Sequence, residues 1–259
     1  MTLQHRPSIL AFDIFGTVVD WHGSIAGHMT EHYPDIDGDA FACAWREGYQ
    51  PAMEQVRSGN RQWVRLDVLH RMILDSILPR FGLSHMDEAQ RQALNQLWHR
   101  LNAWPDSAAA LGRLKPHCML TPLSNGHVAL LTHLAKHNAL PWDCVLSAEI
   151  FQAYKPDPKV YLGVADMFGV RPQDVMLVAA HHDDLAAARR CGLRTAYIER
   201  PLEWGAQRPK DVSPQVGNDL HCRDLMDLVQ QILALDATPA SERTSTTHAS
   251  CPQSHHKTP

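Results

Sequence analysis

The chain has 259 residues, of which 20% are charged and 44% hydrophobic, with a formal net charge of -4. That length buries a sizeable core as one large or two smaller domains, and the weak acidity gives no electrostatic footing for nucleic acid or a membrane surface. No apolar stretch approaches a bilayer span and residues 1–7 carry no signal-peptide core, so a soluble, cytoplasmic protein is expected. The six cysteines lack CxxC spacing and the seventeen histidines show no HExxH pair, so neither a zinc centre nor a disulfide framework is indicated.

The first element is the apolar run Ile9-Leu10-Ala11-Phe12, which reads as a buried central strand ending at Asp13. Open α/β sheets place their ligands at such ends. Gly16 lets the backbone turn there, and a turn-capping Asp is the plain alternative. After Val19 the pattern becomes helical. Phe41, Trp45, Tyr49, Val56, Leu66, Leu69, Ile73 and Ile77 fall at amphipathic spacing, and no strand is expected between Asp20 and about Trp104. Residues 20–104 therefore read as an all-helical cap inserted into an α/β core formed by 1–19 and 105–235.

From Pro105 strands and helices alternate. A helix over 107–114 leads to a strand over 118–123 that ends in Ser124-Asn125-Gly126, and a helix follows over 128–137. A strand over 144–147 precedes Lys155-Pro156-Asp157-Pro158 and a helix over 159–168. The strand over 175–179 runs into His181-His182-Asp183-Asp184, followed by a helix over 185–190. The last clear strand covers 195–198, and a final helix is expected over 222–235. This alternation predicts a doubly wound parallel sheet. The Thr-, Ser-, Pro- and His-rich residues 236–259 read as a disordered tail.

Four polar clusters now lie at strand ends: Asp13 with Thr17, Ser124 with Asn125, Lys155, and Asp183 with Asp184. In a parallel sheet those ends converge on one edge. Together they resemble the haloacid dehalogenase superfamily. Phe12-Asp13-Ile14-Phe15-Gly16-Thr17 is similar to its first motif, Leu123-Ser124-Asn125-Gly126 to its second, Tyr154-Lys155-Pro156-Asp157-Pro158 to its third, and Asp184 before a helix to its fourth. The resemblance implies a Rossmann-type core and Asp13 as a covalent nucleophile.

Most of that superfamily hydrolyses phosphate esters with magnesium, using a second Asp two positions after the nucleophile and an Asp at the start of the fourth motif. This chain has Phe15 and Ala180 there. Losing oxygen ligands weakens a site for a hard cation. Those departures resemble the (S)-2-haloacid dehalogenases, as do Asp20-Trp21, the pair Trp45-Arg46, and Tyr161 six positions after Lys155. The resemblance implies no metal or other cofactor and a small 2-haloacid substrate such as haloacetate, 2-chloropropionate or fluoroacetate. Asp13, Lys155, Asp184 and Arg46 would be catalytic. Phe15, Thr17, Ser124, Asn125, Tyr161 and His181 would bind or position substrate.

Several assignments keep a second reading. Ser124 and Asn125 could cap the helix that follows. Arg46 beside Trp45 could be a stacked surface pair, Tyr161 a core aromatic, and Asp183 a helix-terminus charge. The alternatives for the whole chain are a magnesium-dependent phosphatase of the same fold and a non-catalytic homologue binding a small acid. A tryptophan-rich cap also suits a homodimer.

Overall fold

The computed structural model describes residues 5–235, so the tail expected over 236–259 lies outside the described residues. Strand β1 is Ile9–Phe12, β2 is Val19–Asp20 and β3 is Asn102–Ala103. Strands β4 (Met119–Ser124), β5 (Leu146–Ser147), β6 (Val175–Ala179), β7 (Arg194–Ile198) and β8 (Leu220–Cys222) follow. All but β2 and β3 form one parallel sheet in the order β5-β4-β1-β6-β7-β8. The opening strand is thus central, between β4 and β6, with Phe12 level with Pro122 on one side and Val178 on the other.

Alternate residues of these strands enter two separate cores, as a sheet covered on both faces requires. Leu10, Phe12, Leu120, Met176, Val178 and Ile198 join one apolar cluster. Ile9, Ala11, Leu123, Val175, Leu177 and Tyr197 join the other. The first face is covered by α6 (Ser107–Leu114), α7 (Val128–His137) and α11 (Leu225–Ala234), the second by α8 (Ala148–Phe151), α9 (Pro158–Phe168) and α10 (His182–Arg190). Pro122 is tolerated inside β4 because β5 pairs only with Leu123 and Ser124, which leaves the proline without an outer neighbour.

Between β2 and β3 the chain is helical: α1 (Trp21–His32), α2 (Gly38–Glu47), α3 (Tyr49–Arg57), α4 (Leu66–Ile77) and α5 (Glu88–Asn95). Asp20 caps α1 by accepting from Gly23 N, and Asp87 with Gln90 makes a capping box on α5. The antiparallel pair β2–β3 joins Val19 to Ala103 and Asp20 to Asn102, so the excursion leaves and re-enters the sheet at one point. These two-residue strands are absent from the sequence reading because two residues carry no period.

Other expectations are corrected. The strand expected over 144–147 is only Leu146–Ser147. The helix expected over 185–190 begins a turn earlier at His182, and the helix over 159–168 begins at Pro158, which is suited to a first helical turn. The helix expected from Cys222 starts at Leu225 behind the cap Asp224, and Cys222 belongs instead to β8. Trp21 and Trp45 are fully buried within the chain.

The fold predicts a specific stability effect. Leu10 is completely buried on the central strand, so Leu10→Ala should cost about 2–5 kcal/mol. Urea unfolding should show a lower midpoint with an unchanged slope.

Candidate active site

Beyond the C-terminal ends of β1, β4 and β6 lies a cavity of about 520 Å³ whose walls include Asp13, Phe15, Arg46, Asn125, Lys155, Tyr161, His181 and Asp184. Residues from five separate segments of the sheet side thus meet residues of α2 and α3, among them Arg46, Tyr49 and Arg57. Asp13 is 7% exposed. Such a carboxylate survives only with positive or hydrogen-bonding partners.

Those partners form a row of alternating charge. Lys155 Nζ donates to Asp13 Oδ1 at 3.0 Å and to Asp184 Oδ2 at 2.5 Å. On the other side, Asp13 Oδ2 accepts from Thr17 Oγ1 at 2.9 Å and faces His181 Nδ1 at 3.1 Å. His181 Nε2 lies 2.8 Å from Glu203 Oε1, and Lys210 Nζ donates to Glu203 Oε2 at 2.6 Å. The row reads Asp184, Lys155, Asp13, His181, Glu203, Lys210. Tyr161 closes its first end by donating to Asp184 Oδ1 at 2.6 Å.

This arrangement sets the protonation states. Burial alone would raise the Asp13 carboxyl, but the charges and hydrogen bonds of Lys155 and His181 hold it far below the usual carboxylate range. Burial works against the Lys155 ammonium, and Asp13 and Asp184 reverse it, pushing the lysine above its ordinary value. Burial likewise opposes a charged His181, yet Glu203 and Asp13 push it up to about 10. Glu203 is brought down to about 2 by His181 and Lys210 against the effect of burial. His181 is therefore an imidazolium donating from both ring nitrogens. Asp184 is raised by burial, with Lys155 opposing the rise and Asp13 adding to it.

Local structure fixes each member. Gly16 has φ +83, and a Cβ there would stand 2.2 Å from Glu203 Oε1, so both backbone conformation and space require glycine. Thr17 Oγ1 also accepts from Ala180 N at 2.9 Å, tying the β1 turn to the end of β6. Asn125 Oδ1 accepts from Lys155 N at 2.8 Å and so positions the lysine loop, while Asn125 Nδ2 donates to Met53 Sδ at 3.2 Å and also hydrogen-bonds the Tyr49 hydroxyl.

In the same cavity as Asp13, Arg46 stands over the rings of Tyr49 at 4.1 Å, Trp21 at 5.5 Å and Phe15 at 5.9 Å. Its Nη1 is buried with no hydrogen-bond partner among the described residues. Phe15 is itself held edge-on by Trp98 at 5.7 Å.

The structure thus brings together Asp13, Phe15, Thr17, Arg46, Asn125, Lys155, Tyr161, His181 and Asp184. Asp183 is exposed at the cavity rim and takes no part in the row. Ser124 is fully buried behind the cavity wall, where its Oγ accepts from Gly126 N at 3.2 Å. Glu203 and Lys210 were missed in the sequence. Their only signal is an acidic residue beside Trp204 in a loop after a strand, which no pattern distinguishes from solvated charge.

The chain matches the haloacid dehalogenase-like hydrolase family over residues 7–192. It belongs to that family. (S)-2-haloacid dehalogenase 1 of Pseudomonas sp. (strain CBS-3) is 30% identical over 194 residues, covering 73% of this chain and 83% of its own. The crystal structure of the defluorinating L-2-haloacid dehalogenase Rha0230 superposes with a TM-score of 0.83 at 40% identity, over 88% of this chain and 98% of its own. That of the L-2-haloacid dehalogenase PA0810 gives 0.83 at 44% identity, over 88% and 99%.

The magnesium used by phosphatases of this superfamily does not fit these residues. Both oxygens of Asp13 are engaged, by the Lys155 ammonium and by the Thr17 hydroxyl with the His181 imidazolium. Phe15 and Ala180 bring no side-chain oxygen. A hard cation beside Asp13 would need oxygen ligands where two positive groups stand.

The charge on His181 has a measurable consequence. A histidine in the unfolded chain titrates at about 6.5, and here Glu203 and Asp13 push it up to about 10 against the effect of burial. Its contribution to stability is complete below about pH 6.5 and is lost as pH rises through about 10. Wild type minus His181→Gln, compared by urea unfolding across that window, should show stability falling with pH. A flat difference would exclude the imidazolium.

Proposed function

We propose that this protein hydrolyses small (S)-2-haloacids to 2-hydroxyacids through an ester on Asp13, without a metal. The observation that carries the reading is Arg46: a guanidinium walled by aromatic rings, with an unpartnered buried N–H, in the same cavity as an ionised carboxylate. A departing halide needs a desolvated cation and no proton. A departing alkoxide would need an acid, and Phe15 stands where that acid would be.

Asp13 Oδ1 has one donor, Lys155, while Oδ2 has two, Thr17 and His181. Oδ1 is therefore the freer nucleophile. Its attack on C2 forms the C–O bond as the carbon–halogen bond breaks, with the electron pair leaving on the halide toward Arg46. A single displacement inverts the carbon. The substrate carboxylate would be received by Asn125 Nδ2 beside the Tyr49 hydroxyl.

In the ester, Oδ2 is the carbonyl oxygen, and its two donors are placed for the negative charge that develops when water attacks Cγ. Asp184 takes a proton from that water. The Cγ–Oδ1 bond then breaks, Lys155 Nζ protonates the departing oxygen, and Asp184 returns the proton to Lys155. Asp13 finally releases one proton to solvent, balancing the halide freed. We further assign the helices between β2 and β3 (residues 20–104) to a cap domain whose closure desolvates Asp13. A cytoplasmic enzyme fits this reading, since no helix among the described residues is long and apolar enough to cross a membrane.

Halide release from chloro-, bromo- and fluoroacetate in EDTA tests the activity. Asp13→Asn should abolish it, and Arg46→Gln should lower kcat/KM about 100-fold. A single turnover in ¹⁸O-water should leave the label in Asp13 rather than in the hydroxyacid. Phosphate release dependent on magnesium, with no halide from any substrate, would overturn the proposal.

A further inference from the structure

Outside the cavity, one cluster of ligating side chains has no place in the chemistry above. Asp67 in the first turn of α4, His99 just before β3, and His127 at the cap position of α7 each offer an atom within 4.8 Å of the others. Asp67 Oδ2 is 2.9 Å from His99 Nε2 and 3.5 Å from His127 Nε2. A tetrahedral ion with bonds of about 2.0–2.1 Å holds its ligand atoms about 3.3–3.4 Å apart. Two of the three edges are thus near the required spacing.

The surroundings are those of a built site. His99 and His127 are 5% and 4% exposed, while the Asp67 side chain, 23% exposed, leaves a way in from solvent. His99 Nδ1 lies 2.8 Å from His133 Nδ1, so His133 can accept the second N–H of a ligating His99 and fix its ring. Within the cluster the His127 ring makes only the 3.5 Å approach of Nε2 to Asp67, and its other nitrogen, Nδ1, is buried without a partner among the described residues.

We infer that Asp67, His99 and His127 form a site for a zinc-type divalent cation. Two imidazoles and one carboxylate suit zinc rather than magnesium or calcium, and leave a fourth position for water. Asp67 and His99 belong to the helical excursion, whereas His127 follows Asn125 by two residues. The ion therefore fastens the helices to the edge of the sheet beside the active site.

The test uses the full chain, freed of metal and dialysed against micromolar zinc, with magnesium as a second arm. Wild type should take up about one zinc more than His99→Gln or His127→Gln, ignore magnesium, and melt several degrees higher with zinc. His133→Gln should weaken the affinity about 10–100-fold. Cobalt bound to wild type should show the intense visible bands of a tetrahedral site. The residues His248, Cys251, His255 and His256 could also take up zinc, and that uptake would be unchanged in the variants. Equal stoichiometry in wild type and both variants overturns the inference, as does a wild type that binds no zinc and gives no tetrahedral cobalt spectrum. Cooperative metal-free melts of the variants show that a loss of binding is not a loss of fold.

Discussion

The structure depends on keeping one carboxylate ionised where water hardly reaches. Removing Asp13 from solvent costs several kcal/mol unless its charge is compensated, and compensation by a single cation would leave that cation needing a partner of its own. The chain solves this by extending the row until it reaches solvent or a neutral donor: Lys155 shares its charge with Asp184 and Tyr161, and His181 shares its charge with Glu203 and Lys210. Each of the four inner members is held by opposite charge on both sides. That mutual dependence explains why so many residues far apart in sequence occupy one cavity wall.

The sheet order makes this possible. With β1 between β4 and β6, the turns after the three strands are adjacent, and Thr17 bonds directly across to Ala180 N. The third-motif loop comes from the connection after β5 and is steered by Asn125 accepting from Lys155 N. The loop after β7 delivers Glu203 against the β1 turn, where only a glycine at position 16 leaves room for its carboxylate. The helical excursion contributes Arg46 and its neighbours to the cavity wall, and the chain enters and leaves it through the paired strands β2 and β3.

Much of this was legible in the sequence because the strands of a doubly covered sheet are short apolar runs and the chemistry follows them directly. Ile9 to Asp13 shows both features at once, as does the run into Ser124 and Asn125. His181 stood in line as the residue after Ala180, though nothing in the sequence indicated that it would be charged. That state comes from Glu203, twenty-two positions away. Glu203 was illegible because its burial, not its type, gives it a role, and burial of a loop residue depends on where the loop returns. The two-residue strands β2 and β3 were hidden for a different reason, since a pair of residues has neither period nor composition. Ser124 was placed correctly at a strand end, yet the turn that follows puts it behind the cavity wall.

The same row distinguishes the two chemistries the family supports. A magnesium ion beside the nucleophile would add a concentrated positive charge that draws electron density out of Asp13, which suits phosphoryl transfer to an already anionic substrate. Here the positive groups are monovalent, and each is largely neutralised by a second carboxylate. Asp13 therefore keeps its charge without being held in a strong field, which favours attack on a carbon centre. During such a displacement the negative charge leaves Asp13 and reappears on the halogen. With Asp13 esterified, the net charge of the row would be one unit more positive, as the oxyanion of the proposed hydrolytic step needs, while Arg46, whose buried Nη1 has no partner among the described residues, would receive the halide. On the proposed mechanism the two halves of the reaction would draw on different residues of one cavity, displacement on Arg46 and hydrolysis on the charged row.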